Sequence, residues 1–263
     1  MIASRQPLPL GRASLLGLAG TLAFLGLWAA IAHSGLVQHL FLPTPIEVTR
    51  RFLTLLTTPF AGGTLTAHLV SSVQRFLSGY LLAALVGVPL GLMMGWSRLL
   101  DDIVTPVFDA LRFIAPIAWV PFAALWFGTG VGGPILIIFA GAFPPCLINA
   151  YRGARYVDPR LMEAAAMLGT PGYRVVTEVM LPAALPSIVA GLRISAGLGW
   201  QSLVGAELIV ASTGVGYMMV QAQGAVSTTT VMVGMIAIGL FGVAVDTTLR
   251  LIETRIRIHL GHA

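Results

Sequence analysis

The 263-residue sequence contains no lysine, one cysteine and few charges of either sign. Its 15 basic residues are all arginine. The absence of lysine excludes a P-loop, whose lysine contacts nucleotide phosphates, and a Schiff-base enzyme. With Cys146 alone, the chain forms neither an internal disulfide nor a cysteine-ligated zinc site. Charged residues make up 10% of the chain, against about 25% in soluble domains, so a water-soluble globule is also excluded.

Apolar residues supply 57% of the chain and gather in six long runs. The runs cover residues 14–32, 70–96, 103–127, 134–150, 188–210 and 231–249. Since about 20 apolar residues cross a bilayer as a helix, the sequence predicts an all-α, polytopic membrane protein with about six transmembrane helices. Pro106, Pro116 and Pro121 interrupt the third run. Glycines spaced by four or eight residues along the second run predict close approach of another helix.

Arginine placement predicts the orientation of these helices. If the N-terminus is inside, the inner segments carry ten arginines, namely Arg5, Arg12, Arg98, Arg152, Arg155, Arg160, Arg174, Arg250, Arg255 and Arg257. The outer segments carry only Arg50 and Arg51. This bias is typical of cytoplasmic loops, so both termini are expected in the cytoplasm. The net charge of +5 is interpreted in the same way, with the lipid bilayer and not a nucleic acid as the partner.

Two connections between the runs are too long to be simple turns. The outer connection contains an apolar-periodic helix over residues 46–56, which either lies in the membrane interface or packs on the outer end of the protein itself. In the inner connection, Asp158-Pro159 starts a short helix that Gly169 ends. Thr170-Pro171 starts a second helix, which Pro182 is expected to close. The first helix either inserts into a cleft of another protein or caps the chain's own bundle.

The inner connection also carries a spaced motif, which consists of Glu163-Ala164-Ala165, Gly169, Val179 and Leu181-Pro182. It resembles the EAA motif of ABC importer permeases, EAA-x3-G-x9-I-x-L-P, with valine in place of isoleucine. From about residue 41 to 251, segments such as Trp126-Phe-Gly-Thr-Gly130 and Ala206-Glu-Leu-Ile209 are similar to the nitrate/sulfonate/taurine branch of these permeases.

The resemblance implies a type I ABC importer-like permease in the bacterial inner membrane. Its partners would be two copies of a separate ABC ATPase, a periplasmic solute-binding protein and a second permease copy in a homodimer. ATP and Mg would bind to the ATPase, so this chain would hold no cofactor or metal and would not be an enzyme. The implied ATPase-coupling residues are Glu163, Ala164, Ala165, Gly169, Leu181 and Pro182.

On this interpretation the chain divides into four segments. Residues 1–35 form a cytoplasmic N-terminus and the first transmembrane helix, and 36–68 form a periplasmic or interfacial segment. Residues 69–250 form the permease core with the coupling loop 151–187, and 251–263 form a cytoplasmic tail.

Ionisable groups at membrane depth are candidates for the substrate path, because burying them is costly. A tryptophan is a further candidate as a residue that lines the cavity. The candidates are Arg75, Arg112, Arg193, Trp200 and Glu207. Arginines on a path would attract an oxyanion. Alternatively, Arg112 and Arg193 reach the headgroups from the inner ends of their helices, Glu207 pairs with Arg75, and Trp200 serves packing or an interfacial belt.

The favoured function is therefore import of a small anion such as a sulfonate, taurine or nitrate by alternating access. The alternatives are the same permease with an aromatic acid or a neutral vitamin precursor as cargo, and a self-sufficient secondary transporter. An intramembrane enzyme is disfavoured, because no serine–histidine nucleophile motif and no paired intramembrane aspartates are present.

Overall fold

The computed structural model describes residues 10–259, with side chains from 15 to 256, and this part of the chain is almost entirely helical. The helices are α1 (Leu10–His33), α2 (Pro45–Thr57), α3 (Leu65–Trp96), α4 (Arg98–Arg112), α5 (Val120–Phe127), α6 (Gly132–Arg155), α7 (Pro159–Met167), α8 (Gly172–Arg174), α9 (Leu181–Val210), α10 (Val215–Gly224) and α11 (Thr228–His259). Arg5 and residues 260–263 of the predicted tail lie outside the described residues. The predicted all-α membrane fold is confirmed.

Five continuous helices are long and apolar enough to cross a membrane, and they correspond to all the predicted runs except the third. The third run is not one straight helix. Its two halves, Arg98–Arg112 and Pro116–Phe127, meet at an angle of 88°. A 3₁₀ turn at Pro116–Trp119 follows the break. Because a proline lacks the N–H that would continue a helix, Pro116 supports a new helical start better than a continuation.

The packing of α3 against α6 shows that this broken segment still carries the chain across. A Cβ atom at Gly79 would lie 2.7 Å from Ile138, and one at Gly87 would lie 2.9 Å from Cys146. The positions in both helices therefore increase together, and α3 and α6 are parallel. Two parallel neighbours require a return passage between them, which α4 and α5 provide. The glycine spacing seen in the sequence is confirmed as a line of close helix approach.

The helices α9 and α11 complete the alternation. A Cβ atom at Gly153, near the end of α6, would lie 3.0 Å from Ser187, near the start of α9, and Gly199 faces Ala142 at 3.2 Å. The two helices are therefore antiparallel. In turn, Trp200 of α9 contacts Ile238 of α11, and Arg193 contacts Asp246. The helices α9 and α11 are therefore antiparallel, so α11 runs parallel to α3 and α6. The C-terminal ends of α3, α6 and α11 thus lie at one end of the bundle, which we call the coupling end.

The helix α2 packs on the opposite end of the bundle. Thr44 and Glu47 form a capping box at its start, and the backbone hydrogen bond from Thr44 lowers the pKa of Glu47. Val48 and Leu55 are buried in a cluster with residues of α10 and α11. Of the two readings of residues 46–56, the structure therefore supports packing on the protein itself.

Candidate functional site

The short helix α7 stands at the coupling end and carries the EAA motif. Asp158 caps it by accepting a hydrogen bond from the Arg160 N–H at 2.9 Å. At its other end the Thr170 N–H donates to the Ala165 carbonyl at 3.0 Å, and the Gly169 N–H donates to the Ala166 carbonyl at 3.0 Å. These two bonds form a Schellman motif. Its left-handed position is Gly169, with φ of +65°, so this glycine sets where the helix ends.

Most of α7 is not covered by the rest of the chain. Glu163 and Ala164 are exposed, and only Ala165 of this helix is buried. Met167 and Leu168 are 88% and 83% exposed, although both are apolar. A helix that capped its own bundle would bury these side chains. The arrangement therefore favours docking of α7 on another protein over capping.

The segment after α7 differs from the sequence prediction, because Pro182 does not close a helix. Residues Gly172 to Val210 form one continuous helix of 39 residues. A π-helical turn at Val175–Met180 precedes the proline. Its altered hydrogen-bond pattern accommodates the missing N–H of Pro182 without a break. Leu181 and Pro182 are exposed at the start of α9, and α7 contacts the π-helical turn.

A buried polar cluster, which we call the closed cluster, lies at the opposite end of the bundle. The Arg75 Nη1 atom of α3 donates to Glu207 Oε1 of α9 at 3.0 Å and to the Thr213 carbonyl at 2.6 Å. Ser72 Oγ donates to Glu207 Oε1 at 2.8 Å, and the Gly216 N–H donates to Oε2 at 3.0 Å. The structure thus shows the Arg75–Glu207 pair that was one of the sequence alternatives.

Backbone geometry next to the closed cluster explains the nearby glycines. Gly214 has φ of +111°, and a Cβ atom there would collide with the Glu207 carboxylate. The Gly214 N–H donates to His68 Nδ1 at 3.2 Å, while His68 Nε2 donates to the Phe60 carbonyl at 3.0 Å. The carboxylate therefore caps the first turn of α10 from another helix. Sequence reasoning missed Ser72, His68 and Thr213, since nothing local marks partners so distant along the chain.

Arg193 is held by acidic residues of α11. Its Nε and Nη2 atoms donate to Asp246 Oδ1 and Oδ2 at 2.8 and 3.2 Å, and Nη1 donates to Glu253 Oε2 at 3.3 Å. Asp246 also accepts from Arg250 at 3.3 Å. This network joins α9 to α11 near the coupling end, and neither acidic residue was among the sequence candidates.

Trp200, proposed for the substrate path, lies in the core. It packs edge-on against Phe76 with ring centroids 5.4 Å apart and against Phe241 at 4.8 Å. Its Nε1–H donates to the Ile238 carbonyl at 3.2 Å, so its polar group is satisfied inside the bundle. The side chain is 7% exposed, which agrees with the packing alternative.

Arg112 occupies a different setting, at the break between α4 and the following 3₁₀ turn. Its Nε lies 2.8 Å from Asp109 Oδ1, one helical turn earlier. The guanidinium also lies over the rings of Phe113 and Phe108, 4.7 and 5.9 Å from their centroids. Arg112 lines a cavity together with Pro144 of α6, so it lies beside the middle of α6. The sequence alternative had placed it near the inner end of its membrane span.

The five substrate-path candidates therefore do not converge on one site. Arg75 and Glu207 belong to the closed cluster, Trp200 to the core and Arg193 to the α9–α11 network. The described residues thus define a class of multi-spanning membrane protein that exposes a short helix at one end of the bundle.

Comparison with known proteins makes this class specific. The family model described as binding-protein-dependent transport system inner membrane component matches residues 87–258. The chain is 36% identical to the taurine transport system permease protein TauC of Escherichia coli, over 94% of this chain and 90% of that one. It is 34% identical to the bicarbonate transport system permease protein CmpB of Synechococcus elongatus, over 88% and 85%. The chain therefore belongs to this inner-membrane family, as an ABC importer permease of the nitrate/sulfonate/taurine branch.

Solved structures agree on the fold. An inward-facing conformation of the MetNI methionine ABC transporter superposes with a TM-score of 0.55 at 20% identity. The similarity covers 69% of this chain and 92% of that chain. Permease subunits of this family are not themselves enzymes.

Proposed function

We propose that two copies of this chain form the pathway of an ATP-driven importer that moves a small anion into the cytoplasm by alternating access. A pair of separate ATPases would bind α7 of each copy, and ATP and Mg would bind to those ATPases. A periplasmic solute-binding protein would deliver the anion at the end where the closed cluster lies. Closure of the ATPases on ATP would move α7 and, through the π-helical turn, the long helix α9.

The exposed α7 carries this proposal. Its start and end are fixed by Asp158 and Gly169, while its motif residues Glu163 and Ala164 point away from the rest of the chain. A short, rigid helix with small side chains permits close approach to a groove on a partner. A self-sufficient secondary transporter would leave this surface without a role.

An anionic cargo is supported by the names of the relatives and by charge. TauC is named for taurine and CmpB for bicarbonate, and both solutes carry an anionic group. The chain offers arginine as its only permanently cationic side chain, and the guanidinium fork matches two oxygens of an oxyanion.

The orientation follows from the arginines at the coupling end. Exposed arginines gather there, including Arg98, Arg152, Arg155, Arg160 and Arg174. An excess of positive charge favours the cytoplasmic side, so α7 and both termini are expected there. Single cysteines placed at Arg160 and Arg50, with Cys146 replaced by serine, test this by labelling with an impermeant maleimide. Labelling of position 160 from outside intact cells would contradict the orientation.

The coupling role is tested with the chain, the ATPase encoded beside it and the cognate binding protein in nanodiscs. Glu163→Lys places a like charge opposite any cationic groove and should weaken ATPase association by about tenfold or more. Glu178→Lys is the control, because Glu178 is also exposed and lies on the neighbouring turn. Equal association of both variants and the unchanged protein would remove the docking claim.

The turn after α7 offers a second, conformational test. Gly169→Ala should destabilise the turn by about 1 to 2 kcal/mol, because its φ is +65°. It should therefore lower the ATPase activity that the loaded binding protein stimulates. Gly172→Ala is the matched control, since this exposed glycine lies three residues away and has room for a Cβ. Loss of stimulation in both variants alike would show that the left-handed turn is not the cause.

A further inference from the structure

The break between α4 and the 3₁₀ turn borders a cavity of about 370 Å³. This volume falls in the range of about 300 to 1,000 Å³ that is typical of small-molecule sites. Besides Arg112 at the end of α4, three elements that meet at mid-depth of the bundle supply its walls. They are Pro116 and Ile117 of the 3₁₀ turn, Gly141 and Pro144 of α6, and the α9 residues from Leu198 to Gly205.

Three polar side chains line this cavity, and all other lining residues are apolar or small. They are Arg112, Gln201 and Ser202. A pocket that is mostly apolar with a few convergent polar groups is the usual form of a site for a small solute.

Gln201 has no structural explanation within the single chain. It is exposed on α9, opposite the middle of α6, and it makes no hydrogen bond with another described residue. Polar side chains at membrane depth are costly against lipid and face protein or a water-filled cavity instead. Gln201 is therefore expected to face the pathway, with its amide available to a solute.

The guanidinium of Arg112 likewise has one edge without a hydrogen-bond partner among the described residues. Asp109 approaches its Nε, and neither Nη1 nor Nη2 donates a hydrogen bond to any described residue. The rings of Phe113 and Phe108 hold the guanidinium plane in place. By contrast, Nη atoms of Arg75 and Arg193 are engaged by partners within the described part of the chain. Ser202 donates to the Leu198 carbonyl at 2.8 Å, and its hydroxyl oxygen retains acceptor capacity.

We infer that Arg112, Gln201 and Ser202 form a transient binding site for the transported anion midway along its path, an inference that rests on the proposed function. The Nη edge of Arg112 binds the oxyanion, the Gln201 amide donates to a second oxygen, and the Ser202 hydroxyl accepts from an amino or hydroxyl group of the solute. Pairing of Arg112 with Asp109 keeps the site from holding the anion too tightly to release it.

The experiment measures uptake of radiolabelled taurine and bicarbonate by proteoliposomes that contain the permease, its ATPase and the cognate binding protein. Arg112→Gln should lower uptake by about tenfold or more, since a charge-assisted hydrogen bond is lost. Uptake by Arg112→Lys should lie between the values of the unchanged protein and of Arg112→Gln, because lysine keeps the charge and lacks the forked guanidinium. Gln201→Leu should lower uptake by about threefold to tenfold. In each variant the ATP hydrolysed per anion should rise, a change that a merely misfolded complex would not show.

Two controls match these changes. Arg98→Gln removes an exposed arginine at the other end of α4, and Gln74→Leu removes an exposed glutamine of α3 outside the cavity. If Arg112→Gln and Gln201→Leu transport as well as these controls, the site is overturned and the importer proposal stands. If the unchanged complex imports neither anion, the proposed function fails first and the site fails with it.

Discussion

Two arginines at membrane depth stand in opposite surroundings within this bundle. Arg75 and its partner Glu207 are 3% and 2% exposed, and their hydrogen bonds join α3, α9 and the start of α10. Arg112 and Asp109 are 36% and 48% exposed, and they belong to a single helix turn. An arginine–carboxylate pair thus joins three structural elements in one region, and in the other it lies within one exposed turn of a single helix.

Burial and the number of elements joined separate structural charges from functional charges in these membrane helices. A buried ion pair that satisfies groups of several elements holds those elements in one arrangement. An accessible pair contributes little to stability, so its presence needs another reason. The cavity that Arg112 shares with Gln201 supplies such a reason, whereas Arg75 is enclosed by Glu207 and Thr213.

Removing one arginine from each region gives the largest expected difference. Arg75→Leu leaves the Glu207 carboxylate buried without its partner and should lower the free energy of unfolding by about 3 to 5 kcal/mol. Arg112→Leu should change it by about 1 kcal/mol or less. Thermal unfolding in detergent measures both values.

A double variant checks the cause of that loss. Arg75→Leu combined with Glu207→Leu removes both charges and should recover much of the stability, because no buried charge is left unpaired. Two results would show that charge pairing in the closed cluster does not stabilise the fold. One is a double variant as unstable as Arg75→Leu alone, and the other is an equal loss of stability in Arg75→Leu and Arg112→Leu.

The backbone around the closed cluster predicts a somewhat smaller effect. Gly214→Ala adds a Cβ at a φ of +111° against the Glu207 carboxylate, and it should cost about 2 to 4 kcal/mol of stability. Gly224→Ala is the control at the other end of α10, where a Cβ meets nothing within 4 Å. The same thermal unfolding assay compares them. Similar losses in both would mean that shortening of α10, and not strain at the cluster, explains the effect.

These two regions also show what could be predicted from the sequence. Hydropathy and length identify five of the crossings because each is a continuous local signal. Pro106, Pro116 and Pro121 mark the third run as irregular, but a missing N–H does not determine the direction of the following helix. The 88° bend therefore could not be predicted.

The partners of charged residues were predicted only in part for a related reason. Arg75 and Glu207 were recognised as a possible pair because both are charged and expected at membrane depth. Ser72 and Thr213 are ordinary polar residues whose role arises only when α3 and the segment before α10 meet. The prediction that Pro182 ends a helix was wrong because a π-helical turn accommodates the missing hydrogen bond, and no local sequence pattern indicates such a turn.

Neutralising Asp109, the carboxylate that pairs with Arg112, should have the smallest effect on stability and should raise transport instead of lowering it. Asp109→Asn removes only an exposed pair within one helix, so the free energy of unfolding should change by about 0.5 kcal/mol or less. A carboxylate about 7 Å from a bound monovalent anion repels it by about 0.6 kcal/mol in a water-like dielectric, which corresponds to about threefold in affinity. Uptake at subsaturating anion concentrations should therefore rise. If release of the anion becomes limiting, uptake should instead peak at a lower anion concentration. A concentration series of taurine uptake measures both. Glu207→Gln provides the contrast, because removing that carboxylate should destabilise the bundle without any gain in affinity. If Asp109→Asn leaves the concentration dependence unchanged while the protein folds normally, Arg112 does not meet the anion, and the difference between the two arginines is one of burial alone.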